Sequence, residues 1–294
     1  PTSTSPSITH TPDAVEALSA QALVEALAAD DLTGRDNQTP GTAAAQELII
    51  EQLAQFAQPV LTDGYLQPFT FGTNILGVIP GGDLADEYVV IGAHYDHVGS
   101  NCQSEDPVDQ ICNGATDNAS GVATIISIAR AIEAEGTPRR SVLVALWDGE
   151  EDGLLGSAAY VSAPVIPIAQ TVAYLNFDIQ GATLLPSLAN VTIAIGAETG
   201  GDALAQATVR AMASSASLQP LLLRSFLFQG RSDHANFAQA GVPSMLFTDA
   251  TGGCYHTAQD EADIVDFAKL DQQVVVGAAL LRELVGIDAP PVFD

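Results

Sequence analysis

The apolar positions of this chain cluster into short runs separated by amphipathic stretches. Val142 to Trp147 is apolar at every position, and Tyr88 to Ala93 and Val172 to Phe177 are nearly so. Runs of this length and character predict strands buried on both faces. Asn74 to Ile79, Val191 to Ile195, Leu221 to Phe226 and Ser244 to Phe247 predict further strands. The turn Pro80-Gly81-Gly82-Asp83 separates Asn74 to Ile79 from Tyr88 to Ala93. Helical spacing predicts helices over Asp13 to Asp30 with Asp13 as cap, and from Pro40-Gly41-Thr42 to about Gln58. It predicts others over residues 119–135, 153–162, 201–216 and 232–240, and from Ala268 to Leu284. Continuous apolar strands alternating with helices imply an α/β fold, with a central mixed, mostly parallel sheet between two helical layers. There is no internal repeat or linker. The expected organisation is a flexible tail over residues 1–12 and one domain over 13–294.

The polar residues fall at informative places on this frame. His94-Tyr95-Asp96 follows the strand ending at Ala93, and Asp148-Gly149-Glu150-Glu151 follows Trp147. Asp178 follows Phe177, and Cys254-Tyr255-His256 follows the strand ending at Phe247 by a short loop. In open α/β sheets ligands bind beyond the carboxyl ends of the strands, so these clusters converge on one rim. A fifth cluster, Thr116-Asp117-Asn118-Ala119-Ser120-Gly121, leads into a helix. Taken singly, Asp117 reads as a helix cap, His94 as a hydrogen-bonded core residue, and Glu150-Glu151 as a solvated turn. Their joint placement argues otherwise. Two histidines and three carboxylates form a donor set that suits Zn²⁺.

Composition narrows the function. The 294 residues carry 36 acidic against 9 basic side chains, a net charge of −27, and Lys269 is the sole lysine. Such a charge repels phosphate backbones and anionic membranes, which excludes nucleic-acid binding and favours a soluble, salt-tolerant surface. No apolar run is long enough to span a bilayer. Cys102, Cys112 and Cys254 form no CxxC pair, which argues against a thiolate zinc site; Cys102 and Cys112 flank one loop and suit a disulfide in an oxidising compartment. The sequence opens on Pro1 without signal-peptide features, so a processed, secreted or periplasmic protein is expected.

Six segments, GAHYDHVG, ATDNASG, WDGEEDGLLGS, LNFDIQG, GRSDHANFAQAGVP and CYHTAQD, resemble the M28 zinc aminopeptidases typified by secreted bacterial leucine-preferring enzymes. The resemblance runs from about Asn74 to Asp263. It implies the zinc exopeptidase fold and two Zn²⁺ per chain. His94 and Asp178 would hold the first, Glu151 and His256 the second, and Asp117 would bridge them. It further implies that Asp96 orients His94, that Glu150 is the general base and then acid, and that Tyr255 donates to the oxyanion. Arg231 would help to bind substrate, a monomer cleaving hydrophobic N-terminal residues from peptides is expected, and His97 and His234 would serve only in support. The alternatives are a carboxypeptidase or dipeptidase, a one-zinc glutaminyl cyclase, and a non-catalytic receptor-like domain. Relatives that close a disulfide onto a cysteine like Cys254 have a second cysteine where Ala258-Gln259-Asp260 stands here.

Overall fold

A computed structural model describes residues 16–100, 109–227 and 230–294. The first 15 residues, Asp13 and the expected tail among them, and Cys102 lie outside the described residues. The strands are β1 (Gln58–Pro59), β2 (Leu66–Phe69), β3 (Gly72–Ile79), β4 (Leu84–His94), β5 (Arg140–Trp147), β6 (Thr171–Phe177), β7 (Val191–Ile195), β8 (Gln219–Leu223) and β9 (Ser244–Thr248). The helices are α1 (Ala20–Leu27), α2 (Pro40–Leu53), α3 (Ser120–Ala134), α4 (Leu155–Ser162), α5 (Gly201–Met212), α6 (His234–Gln239) and α7 (Phe267–Gly286).

All the strands join one mixed sheet in the order β1-β3-β5-β4-β6-β9-β7-β8, with β2 paired to β3. Its centre, β5-β4-β6-β9, is parallel throughout. Antiparallel pairing begins where β3 meets β5 and where β7 meets β9. The four central strands therefore present their carboxyl ends on one rim.

The alternation along β5 explains why its sequence is apolar throughout. Val142, Val144 and Leu146 enter the larger core with residues of α1, α2, α3, α5 and α7. Leu143, Ala145 and Trp147 enter a second core with Tyr160 of α4 and Phe237 of α6. Both faces are dry, so polar alternation would cost free energy; each large apolar side chain buried contributes about 1.5–3 kcal/mol. Gly92 makes room at the crowded second face. A Cβ there would meet the Tyr174 hydroxyl at 2.6 Å and Trp147 Nε1 at 2.8 Å, two atoms joined by a 2.8 Å hydrogen bond.

Several boundaries differ from the sequence expectation. Helix α1 starts at Ala20, because Ser19 Oγ accepts from Ala22 N and caps it there. Strand β8 lies earlier than Leu221–Phe226, since Gln219 and Pro220 pair with Val191 and Thr192 and Ser225–Leu227 coils into a 3-10 turn. Helix α5 ends at Met212 rather than 216. Cys112 is disulfide-bonded and Cys254 is free. Among the described residues no helix is long and apolar enough to cross a membrane.

Candidate metal centre

The rim of the parallel strands gathers the polar clusters. His94 is the last residue of β4 and is buried. Its Nδ1 lies 3.2 Å from the carbonyl oxygen of Asp96. A proton held there leaves Nε2 free to face Asp117 Oδ1 at 3.2 Å and Asp178 Oδ1 at 3.4 Å. Asp178 stands one residue beyond β6, and its amide donates to the carbonyl of Phe247 on β9.

The carboxylate of Asp96 does more than adjoin His94, whose Nδ1 is 3.7 Å from Oδ1. It accepts the amides of Glu150 at 3.1 Å and Glu151 at 3.2 Å. One buried side chain thus sets the turn after β5 on which both glutamates sit. Gly149, at φ +66°, starts that turn.

Asp117 is not a helix cap. It lies in the turn Ala115–Ala119 with non-helical φ −115° and ψ 90°, and Ala119 precedes α3. The turn is held from outside by Asp260, whose carboxylate accepts the Thr116 amide and hydroxyl and the Asp117 amide at 2.7–3.0 Å. Asn118 ties the same turn to β6, donating to the Phe177 carbonyl and accepting the Ile179 amide. Asp117 Oδ1 faces His94, and Oδ2 lies 3.2 Å from His256 Nε2. Glu151 Oε2 lies 2.9 Å from that same nitrogen.

Among the described residues two ligand groups share Asp117, His94-Asp117-Asp178 and His97-Asp117-Glu151-His256, and a third brings His94 to Glu150 and Glu151. His97, expected only in support, falls within the second group, with Nδ1 2.8 Å from Glu151 Oε1 and 4.0 Å from Asp117 Oδ2. His234 opens α6 and belongs to neither group. The donors fit a metal on their own terms. His256 Nε2 is buried against two carboxylates yet makes no aligned hydrogen bond. An imidazole nitrogen among carboxylate oxygens at such distances is a donor set that suits zinc.

The charges show the strain of leaving such a set to protons alone. Burial lowers the His256 pKa, but Asp117 and Glu151 outweigh it and push it up to about 10. Burial likewise opposes the charge on His94, while Glu150, Asp178 and Asp117 raise its pKa well above the usual value. Asp117 moves the other way: burial would raise it, but its contacts with His256 and His94 hold it far below the carboxylate range. The Glu150 carboxyl is pushed well up by burial, with Asp178, Asp233 and Glu151 adding to the rise and His94 opposing it. Asp148 and Asp233, both buried, are each raised to about 7, chiefly by burial.

Glu150, Tyr255 and Arg231 join His94, Asp117 and Asp178 around a cleft of about 120 Å³, completed by Ile179, Leu246, Thr248, Ala250 and Thr251. The Tyr255 ring stacks on that of His256 with centroids 3.7 Å apart. The cleft is far smaller than the roughly 300–1,000 Å³ of sites for drug-sized ligands.

Two residues that the sequence did not single out hold this geometry. Asp260 is one. The other is Arg35, fully buried, which donates to the carbonyls of Leu27, Tyr95, Asn113 and Gly114. Burial lowers its pKa to about 10 against the opposing pull of Asp260, Asp96, Asp117 and Glu151. The available signals were that Arg35 is the only Lys or Arg before Arg130, and that Asp260 closes the segment CYHTAQD.

The family profile of Peptidase family M28 matches residues 74–279. The chain belongs to that family. This M28 peptidase is 25% identical to a probable zinc metalloprotease of Leptosphaeria maculans over 88% of its own length and 70% of the relative's. It superposes on the aminopeptidase of Aneurinibacillus sp. strain AM-1 with a TM-score of 0.56 and 25% identity, covering 71% of this chain and 47% of that one. It also matches the fold of Porphyromonas gingivalis glutaminyl cyclase, with a TM-score of 0.68, 19% identity, and coverage of 92% and 98%. The chain thus spans about half the length of the Aneurinibacillus enzyme.

Proposed function

We propose that this M28 peptidase is a two-zinc aminopeptidase that removes N-terminal residues, hydrophobic ones by preference, from peptides. The observation that carries the proposal is the divided aspartate: Asp117 turns one oxygen to each of two ligand groups. In this reading His94 and Asp178 would hold one zinc, Glu151 and His256 the other, and Asp117 would be shared between them. Bound there, zinc lowers the pKa of a coordinated water from ~15.7 towards ~7 and polarises the scissile carbonyl.

The chain supplies the rest. Glu150, its proton affinity raised by burial and neighbouring acids, takes the proton of the attacking water and delivers it to the leaving amine. Tyr255, on the cleft wall, donates its hydroxyl proton to the oxygen that gains charge, a contact worth roughly 3–4 kcal/mol when well placed. Asp96 keeps both glutamates on their turn. Among the described residues Arg231 is the only arginine or lysine that lines the cleft. A site for a free carboxylate end calls for more basic groups than this one, which argues against a carboxypeptidase.

Purified protein should contain about two zinc ions per chain and release nitroaniline from leucine-p-nitroanilide, with chelation abolishing the reaction. A single tightly held zinc with turnover of N-terminal glutamine instead would replace this reading by the cyclase.

A further inference from the structure

The ring of His97 is a buried imidazole at this rim that the proposed mechanism leaves without work. It lies three residues beyond His94 and is buried with it. Its surroundings are specific. Nδ1 is 2.8 Å from Glu151 Oε1, whereas Glu151 Oε2 faces His256. Nε2 is buried without a hydrogen-bond partner, so the ring proton belongs on Nδ1, where Glu151 accepts it. The carbon edge of the ring packs on Gly114, where a Cβ would stand 2.5 Å from His97 Cγ and Cδ2. Gly114 leads directly into the turn that carries Asp117 and has φ +58°. The ring also meets His256 edge-on, with centroids 5.4 Å apart. One side chain therefore touches all three segments that bring Glu151, Asp117 and His256 together.

We infer that His97 is the positioning residue of the second metal position. Its Nδ1–H engages one oxygen of Glu151 and leaves the other for the metal. Its ring wedges the Asp117 turn and the His256 loop at their working separation. A role as a further ligand fits less well: a fourth protein donor would close the position, and catalytic zinc sites keep a place open for water. The inference rests on the two-zinc reading.

The test is zinc binding itself, read by chelator competition on the full chain without any activity assay. His97→Ala should weaken one of two zinc ions by roughly 10–100-fold and leave the other at wild-type affinity, the usual size of an effect from a group behind a ligand. His97→Asn, whose amide nitrogen can take the place of Nδ1, should restore most of that affinity. Equal melting temperatures of the metal-free chains would exclude a general loss of folding. Two zinc ions bound by His97→Ala as tightly as by wild type would overturn the role of His97 alone. Equal weakening of both ions would overturn it too. A wild-type chain that takes up only one zinc would overturn the two-metal reading beneath it.

Discussion

The two ligand groups share Asp117 but are built differently. His94 and Asp178 stand at or one residue past the ends of neighbouring parallel strands, β4 and β6, whose backbones are locked by pairing. Glu151 and His256 stand on turns. Glu151 is fixed through its amide by Asp96, and His256 has φ +56° in a loop where its side chain is about a third exposed. The inner position is thus set by the sheet, and the outer one by side chains that reach across loops. Such a contrast suits a site in which one metal anchors and the other accommodates an arriving substrate.

The most severe way to break this contrast is to remove what the positions share. Asp117→Asn should leave little zinc at either position by elemental analysis and bring peptidase activity to background. Glu150→Ala separates holding metal from using it. Turnover should fall by roughly 10²–10⁴-fold while about two zinc ions stay bound; full activity in this variant would sink the mechanism. Asp260→Ala tests the backbone support. Asp260 rides on the His256 loop but grips the Asp117 turn, so zinc affinity should drop about 10–100-fold, more at the outer position than the inner. Loss confined to the inner position would reverse the comparison.

The gentlest test uses protons. In the metal-free chain the His256 pKa of about 10 leaves the ring charged at neutral pH. Zinc must displace that proton, so outer-site affinity should rise about tenfold per pH unit from neutrality until the pH nears that pKa. His94, also raised, should behave in the same way at the inner site. Calorimetry in two buffers of different ionisation heat should find about one proton released per histidine bound.

How far the chain disclosed this arrangement depends on how far each feature is local. The central strands were legible because both faces of β5 and β6 are dry, and burial writes itself as an unbroken apolar run. The candidate ligands were legible because strand ends, not sequence distance, bring them together. Strand β2 was missed: four half-exposed residues containing Pro68 make no apolar run, and only pairing with β3 defines them. Strand β8 was displaced because its Gln219-Pro220 start reads as a turn, although an edge strand tolerates proline. Asp260, Arg35 and the placement of His97 were hidden for a common reason. Each acts on backbone or on another ligand across the fold, and no local pattern marks such a contact.

Arg35 carries a practical consequence. A gene fragment trimmed to residues 74–279 would encode all five proposed zinc ligands and the proposed base. It would also discard the guanidinium that clasps the carbonyls of Tyr95, Asn113 and Gly114 to the first helix. The smallest working version of this enzyme is therefore larger than its recognisable signature, and residues 16–73 are structural hardware that any attempt at miniaturisation must replace.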